Sequence, residues 1–338
     1  MTKIINITVK DVRFPTSQDQ TGSDAIHTDP DYSATYVTVE TSDKNLTGYG
    51  ITFTIGKGND IVASCIEHFF PIFDNLTLDD LESNIGSLWY ECVDHSQLRW
   101  LGPEKGVVHL AVSAIFNAMW DLIAKKNNKP LWRFIVDSEP ETILNWLTFK
   151  HVEDVLSKEE AFEILSQNQK FKDQRIKTIL EEGYPSYTTA AGWLGYSDDK
   201  IIELCKKYMS LGWKHFKIKV GTNLQEDIQR LSLIRKTIGN NNFIIIDANQ
   251  QWSVEQSIKH INELKKFNIL FAEEPTNADD ILGFLKIKKE VGDIKLATGE
   301  ACSNRVMFKQ FLESGGMNIC QIDSCRLASI NEILTILL

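Results

Sequence analysis

The sequence predicts an α/β fold in which an N-terminal α+β domain precedes a series of alternating strands and helices. The first domain is indicated by β-rich segments at 4–14, 34–41 and 49–54, after which apolar residues recur at helical spacing. The second is indicated by short apolar strands that begin near residue 187 and recur about every 23 to 28 residues. This repeat is typical of parallel strands with right-handed crossovers, and the spacing alone fits an open sheet and a closed barrel equally well.

The length of 338 residues is sufficient for two domains. We predict that the α+β domain spans 1–134 and that the strand–helix series spans 135–338. Apolar spacing predicts helices at 60–74, 78–95, 104–126 and, with a more polar composition, within 153–182.

Six strands are predicted in the second domain, at 187–193, 215–220, 243–247, 269–273, 295–298 and 318–323. A complete barrel of eight units needs on the order of 200 residues, whereas about 150 remain after residue 187. The chain ends in a helix that follows Ser329, and the pattern offers no partner for its apolar face of Ile330, Ile333, Leu334 and Leu337. We therefore expect a barrel that lacks its last strands, in a shortened form of a longer protein.

Composition and charge limit the partners and the kinds of site that we expect for this protein. The 36 basic and 46 acidic residues give a formal net charge of −10 without a basic cluster, so we expect no nucleic-acid partner. Six cysteines without a C-x-x-C pair fit a reducing compartment better than a disulfide scaffold or a zinc site. The sequence shows no apolar run of about 20 residues and its N-terminus resembles a strand, so we expect an intracellular protein without a membrane partner.

Three acidic residues stand at the ends of three successive predicted strands: Asp247, Glu273 and Glu300. Any one of them alone is better explained as a helix cap. Three acids at the same position of three successive strands place their carboxylate oxygens together at one rim of a parallel sheet, and such oxygens suit Mg²⁺. The pattern therefore predicts a magnesium site.

Two lysines, Lys217 and Lys219, end the preceding strand. Strand alternation places both on one face, with Phe216, Ile218 and Val220 facing the helices. A Lys-x-Lys pair by itself is usually solvated. Beside a metal site, mutual repulsion and the cation are expected to lower a lysine pKa, which would produce a neutral base.

A base followed by three acids at consecutive strand ends resembles the enolase superfamily, in its mandelate-racemase-like branch. Within that branch, the chain resembles the L-fuconate dehydratases and their mitochondrial animal relatives in the segments RFPT (13–16), HTDPDYS (27–33), LRWLGPEKG (98–106) and QIDSCR (321–326). The resemblance implies a TIM-like barrel of the enolase type, covered by the N-terminal domain, and either a mitochondrial or a cytoplasmic location.

The resemblance also implies a set of site residues. Asp247, Glu273 and Glu300 would bind Mg²⁺, Lys219 would be the catalytic base and Lys217 would pair with the substrate carboxylate. Substrate contacts would come from Gly22, Ser23, Asp24, Tyr32, Lys217, Asn249, Glu273 and Glu300. The expected reaction converts L-fuconate to 2-keto-3-deoxy-L-fuconate, by removal of the α-proton and loss of the 3-hydroxyl, and the small-molecule sugar acid is the expected partner, with a homo-oligomer also considered.

The general acid of the family is not matched in this sequence. Asp323 corresponds to the aspartate that orients a histidine on the seventh strand, and we expect none of the seven histidines here to replace that histidine. We therefore expect impaired dehydration. The alternatives are a non-catalytic or regulatory form that retains ligand binding and, less favoured, a racemase or epimerase.

Overall fold

The computed structural model describes residues 1–102 and 104–338; Pro103, which belongs to the segment 98–106 of the family resemblance, lies outside the described residues. The chain opens with an antiparallel sheet in the order β1-β2-β3. Its strands are β1 (Ile4–Arg13), β2 (Ser33–Thr41) and β3 (Thr47–Thr54). The predicted N-terminal strands are confirmed to within about two residues at each end.

Helices cover one face of this sheet. They are α1 (Asn59–Glu67), α2 (Leu78–Val93), α3 (Gly106–Lys126), α4 (Leu131–Asp137) and α5 (Pro140–Leu144). The predicted helix 60–74 ends early and continues as a 3₁₀ turn at Phe70–Phe73, where Pro71 limits the backbone. Helix α4 spans the predicted domain boundary at 134/135, which stays a prediction.

Helix α3 lies directly against β3, and two glycines permit that contact. A Cβ at Gly50 would lie 2.2 Å from the carbonyl oxygen of Ala114, and one at Gly48 would lie 2.4 Å from that of Ala118. By length and apolar composition α3 could cross a membrane, contrary to the expectation that no such run exists. However, 78% of its apolar window is buried inside the protein, as in the core helix of a globular domain.

The second domain contains a parallel sheet in the order β4-β5-β6-β7-β8. Its strands are β4 (His215–Lys219), β5 (Phe243–Asp247), β6 (Ile269–Glu273), β7 (Lys295–Thr298) and β8 (Ile319–Cys320). Its helices are α6 (Lys158–Gln169), α7 (Lys172–Glu182), α8 (Asp198–Ser210), α9 (Leu224–Ile238), α10 (Val254–Leu264), α11 (Ile281–Val291), α12 (Arg305–Ser314) and α13 (Ile330–Leu337). The predicted alternation of parallel strands and helices is confirmed.

The predicted strand at 187–193 is wrong. Thr188 forms one isolated parallel bridge with Phe216, and the chain then turns, with the Gly192 amide donating to the carbonyl of Thr189. The Gly192 carbonyl accepts from the Lys219 amide, so the segment still follows β4 at two points. The turn between those points interrupts the hydrogen-bond ladder that a strand requires.

The apolar face of α13 has partners, contrary to the sequence expectation. Ile330 and Leu334 pack against the N-terminal core, and Ile333 packs against the core of the second domain, whereas Leu337 remains 66% exposed. The indole of Trp120 donates to the Asn331 side chain at 3.0 Å. Helix α13 therefore joins the two domains.

Candidate active site

The carboxyl ends of β4, β5 and β6 place three charged side chains side by side. In the parallel register Lys219 is the neighbour of Asp247, and Asp247 is the neighbour of Glu273. All three side chains are buried. Below them, Ile245 and Phe271 form a small apolar cluster on the same face of the sheet. The predicted convergence of a lysine and two acids is thus present.

Both lysines are bonded to these acids. Lys217 Nζ lies 2.9 Å from Glu273 Oε1 and 3.1 Å from Asp247 Oδ2. Lys219 Nζ lies 2.7 Å from Asp247 Oδ2 and donates to the Asn249 side-chain oxygen at 2.9 Å. The side-chain nitrogens of Lys217 and Lys219 therefore share one carboxylate oxygen, Oδ2 of Asp247.

The expected lowering of a lysine pKa is contradicted for Lys217. Burial opposes its charged form, but the carboxylates of Asp247 and Glu273 outweigh burial and hold the pKa of Lys217 well above its ordinary value. Burial likewise opposes the charged form of Asp247, but the two lysines lower its pKa. The expectation took account of two effects, the mutual repulsion of the lysines and the charge of the cation. It did not include the carboxylates that each lysine contacts.

Glu273 differs from Asp247 in its surroundings. Burial first, and then the charge of Asp247, raise the pKa of Glu273 to about 7. Its Oε1 accepts from Lys217, whereas its Oε2 is buried without a hydrogen-bond partner. A buried carboxylate oxygen without a partner is costly and is a position where a cation would be stabilised.

The predicted magnesium ligands fit the ion in donor type but are not arranged as a formed site. Among residues 1–102 and 104–338, no group of three His, Cys, Asp or Glu side chains is placed to hold a metal. Asp247 and Glu273 are bonded to lysines, and Glu300 lies half-buried after β7. The set supplies hard oxygen donors, and the unpartnered Glu273 Oε2 is consistent with a cation at this position.

A cavity of about 410 Å³ opens above the strand ends, within the range of small-molecule sites. From the second domain it is lined by Lys219, Asn249, Glu300 and Asp323, and from the first domain by Gly22, Asp24 and Tyr32. These are seven of the site residues predicted from sequence. Lys217, Asp247 and Glu273 do not line the cavity, but Lys217 and Lys219 both contact Asp247, and Lys219 lines it.

The loop that covers the cavity comes from the N-terminal domain. At Gly22 φ is +92°, and a Cβ there would lie 2.4 Å from the Tyr32 ring, so only glycine allows the tyrosine to pack here. Ser23 is buried and donates its hydroxyl to the Thr28 carbonyl within the loop, away from the cavity. Its own carbonyl accepts from the Leu194 amide at 3.0 Å, which fixes the loop to the second domain.

Asp323 lines the cavity, but its carboxylate is engaged locally. Its Oδ1 accepts from the amides of Cys325 and Arg326 at 2.6 and 3.1 Å. Within the described residues no hydrogen bond joins Asp323 to a histidine. Tyr32 stays protonated at neutral pH, because burial and then the Asp24 and Glu300 charges raise its pKa to about 12.

Two residues of the site are absent from the sequence prediction. Glu274 follows Glu273, is buried, and has a pKa raised to about 7 by burial and by Glu300. His27 lines the cavity and bonds to Asp24. Two features of the sequence could have indicated these residues. Glu274 is the second of two adjacent acids in Ala-Glu-Glu-Pro, and His27 follows Asp24 at Asp-x-x-His spacing.

Known proteins resemble this chain over nearly all of its length. Residues 200–338 match the family described as enolase C-terminal domain-like. The crystal structure of human mitochondrial enolase superfamily member 1 is 46% identical, covers 99% of this chain and 77% of its own, and superposes with a TM-score of 0.97. An L-galactonate dehydratase from Hypocrea jecorina is 46% identical over 97% of this chain and 74% of its own length.

A more distant structure shares the fold alone. The L-talarate/galactarate dehydratase from Salmonella typhimurium, crystallised with Mg and L-lyxarohydroxamate, is 19% identical, with a TM-score of 0.74 over 99% of this chain and 74% of its own. The expected loss of terminal strands is not supported by these matches, which cover 99% of this chain. At 46% identity over nearly its whole length, this chain belongs to the enolase superfamily.

Proposed function

We propose that this chain is a Mg²⁺-dependent dehydratase of sugar acids, with L-fuconate and L-galactonate as the first substrates to test. The observation that carries the proposal is the cluster of Lys217, Lys219, Asp247 and Glu273 beneath a cavity of about 410 Å³. A lysine beside carboxylates at the floor of a cavity of this size suits removal of a proton next to a carboxylate. The relatives named as dehydratases support the same chemistry.

The metal would be held by Asp247, Glu273 and Glu300. When bound, Mg²⁺ supplies positive charge that makes the proton next to the substrate carboxylate more acidic. Lys217 stays cationic, because Asp247 and Glu273 hold its pKa high, and it attracts the anionic substrate to the floor of the cavity. Lys219 lines the cavity and is oriented by Asn249 at 2.9 Å, so its Nζ is the base that we assign to the α-proton.

Dehydration then breaks two bonds of the substrate. The C2–H proton goes to Lys219, its electron pair forms the C2=C3 bond, and the 3-hydroxyl leaves as water after it receives a proton. The enol product takes a proton at C3 and loses the proton of its C2 hydroxyl, which gives the 2-keto-3-deoxy acid. Tyr32, protonated at neutral pH, is placed to donate a hydrogen bond to a substrate hydroxyl.

The test is proton NMR of the protein with Mg²⁺ and a panel of sugar acids that includes L-fuconate, L-galactonate and L-glucarate. We expect a 2-keto-3-deoxy product from at least one aldonic acid and none after Mg²⁺ is removed with a chelator. Binding of the acids without any product or α-proton exchange would contradict the proposal and favour the non-catalytic alternative.

The name of the human relative includes a mitochondrial location. We propose the same location for this protein, to be tested by fractionation of cells that express the full natural protein. Recovery in the cytosolic fraction alone would contradict it.

A further inference from the structure

An aromatic ring faces the lysine that we assign as the base. Lys219 Nζ lies 5.5 Å from the centroid of the Trp193 ring, within the distance of about 6 Å at which an aromatic face attracts a cation. Trp193 is half-buried and does not line the cavity of about 410 Å³, whereas Lys219 does. The ring is therefore placed to act on the base and not on the contents of the cavity.

The backbone of Trp193 is fixed against β4. The preceding residue, Gly192, lies so close to this strand that a Cβ there would collide with the carbonyl oxygen of Lys217. The Gly192 carbonyl accepts from the Lys219 amide at 3.0 Å and from Arg230 Nη2 at 2.8 Å. Arg230 Nη2 also donates to the Trp193 carbonyl. These bonds set the position of the Trp193 ring relative to Lys219.

Trp193 also contacts the loop that covers the cavity. The Tyr32 ring meets the Trp193 ring edge-on, with centroids 6.2 Å apart and an angle of 86° between the planes. The next residue, Leu194, donates its amide to the Ser23 carbonyl at 3.0 Å. One side chain therefore contacts both the covering loop and the base.

The Lys219 side chain needs such contacts, because the four-carbon stem of a lysine is flexible. Its Nζ lies 2.7 Å from Asp247 Oδ2, donates to the Asn249 side-chain oxygen at 2.9 Å, and faces the Trp193 ring. Asp247 is assigned to Mg²⁺ in the proposed function, whereas Asn249 and Trp193 are not. The ring is thus a contact of Lys219 that does not depend on a carboxylate assigned to the metal.

We propose that Trp193 is a positioning residue, which holds the Lys219 amine at the floor of the cavity for removal of the α-proton. The inference rests on the proposed dehydratase function and names a residue that acts through the base without contact to the substrate. A displacement of about 1 Å in a catalytic group can slow a reaction by as much as about 10²-fold. Loss of the ring is therefore expected to slow proton removal more than it weakens substrate binding.

Two substitutions at Trp193 separate positioning from packing. Trp193→Leu removes the aromatic face, whereas Trp193→Phe keeps one. The measurement is α-proton exchange in D₂O, with the full chain, Mg²⁺ and L-galactonate or L-fuconate. In Trp193→Leu we expect kcat for exchange to fall by about 10-fold or more, with KM within about threefold of wild type. In Trp193→Phe we expect kcat within about threefold of wild type.

Trp213→Leu is the matched control. Trp213 is also half-buried and also meets a tyrosine ring edge-on, that of Tyr208, with centroids 6.3 Å apart. It precedes β4 and so lies at the end of the strand opposite to Lys219. The control should change neither kcat nor KM. In an active wild-type protein, unchanged exchange in Trp193→Leu, or an equal loss in Trp193→Leu and either of the other two variants, overturns the inference alone.

A second measurement requires no turnover. The ring current of Trp193 should shift the ε-methylene proton signal of Lys219 upfield from those of exposed lysines, and the absence of this signal in Lys219→Met identifies it. Trp193→Leu should abolish the upfield shift, and Trp213→Leu should preserve it. A Lys219 signal without an upfield shift in wild type overturns the pairing. Wild-type protein that shows the shift but neither exchanges nor dehydrates any sugar acid contradicts the proposed function, and the positioning role with it.

Discussion

Two groups of buried charges hold this molecule together in different ways. One is the strand-end cluster of Lys217, Lys219, Asp247 and Glu273. The other, which we call the interdomain clamp, consists of Arg305, Glu332 and Glu104. In the clamp, Arg305 Nη1 lies 3.2 Å from both Glu332 oxygens and Nη2 lies 2.7 Å from Glu104 Oε1.

In the clamp each charged side chain is bonded to a partner of opposite charge, whereas in the strand-end cluster one carboxylate oxygen has no hydrogen-bond partner. Arg305 Nε donates to the Lys150 carbonyl, and the Arg305 amide donates to Glu332. In the strand-end cluster, Glu273 Oε2 has no partner, and Lys219 lies at the surface of a cavity. Charges that are bonded to one another fit a structural role, which we assign to the clamp. The unpartnered oxygen of Glu273 leaves the strand-end cluster able to accept a cation, which fits the function proposed above.

The largest effect on stability is expected in the clamp. Glu332→Gln leaves the buried Arg305 charge with Glu104 alone, and breaking a buried pair in this way costs about 3–5 kcal/mol. Urea unfolding of this variant measures the loss. A cost below about 1 kcal/mol would show that the clamp is not the stabilising contact that its geometry indicates.

The strand-end cluster should instead make stability depend on pH. The folded-state pKa of Glu273, about 7, lies above its ordinary value of 4.5, so the folded protein retains a proton that the unfolded chain releases. Without Mg²⁺, stability should fall as pH rises from 4.5 to 7 and then level off, with a contribution from this carboxyl of about 3 kcal/mol. The free energy of unfolding of wild type and Glu273→Gln, measured at pH 5 and at pH 8, tests this. A difference between the two proteins that is the same at both pH values would contradict the raised pKa of Glu273.

Removal of the Glu300 carboxylate is expected to affect Mg²⁺ binding and not stability. Glu300 is half-buried and forms no ion pair among the described residues. Glu300→Gln should leave unfolding in the absence of metal unchanged and weaken Mg²⁺ binding by at least about 10-fold, because even outer partners of metal ligands typically contribute that much. Calorimetric titration with Mg²⁺ measures the affinity. Unchanged affinity would remove Glu300 from the ligand set.

The smallest effect is expected from an ion pair between Lys309 on α12, the helix that begins with Arg305, and the exposed side chain of Asp154. Lys309 Nζ lies 2.9 Å from Asp154 Oδ1, and Asp154 is 67% exposed. Lys309→Ala should cost about 1 kcal/mol or less, because solvent screens the pair. A loss as large as that of Glu332→Gln would mean that burial does not explain the strength of the clamp.

The sequence predicted those parts of the site that depend on strand periodicity. Alternation placed Lys217 and Lys219 on one face, with Phe216 and Ile218 in the core behind them, and the structure confirms this. The acids at strand ends converge because parallel strands end at one edge of the sheet, so their approximate position could be read from the repeat.

The remaining features depend on contacts between distant parts of the chain. The segment 187–193 is interrupted by a turn, and the pKa of Lys217 depends on Asp247 and Glu273 across the sheet. His27 reaches the cavity only because its loop is fixed to the second domain through Ser23 and Leu194. Local patterns carry no information on such contacts, which is why these features appear only in the structure.

The most direct test of the account is the rate of α-proton exchange in D₂O for wild type, Lys219→Met and the control Lys309→Ala, with Mg²⁺ and L-galactonate or L-fuconate. We predict exchange in wild type and in the control, and a loss of about 10³-fold in Lys219→Met with its unfolding transition still cooperative. Exchange in Lys219→Met within tenfold of the wild-type rate would contradict the assignment of the strand-end cluster as the catalytic centre.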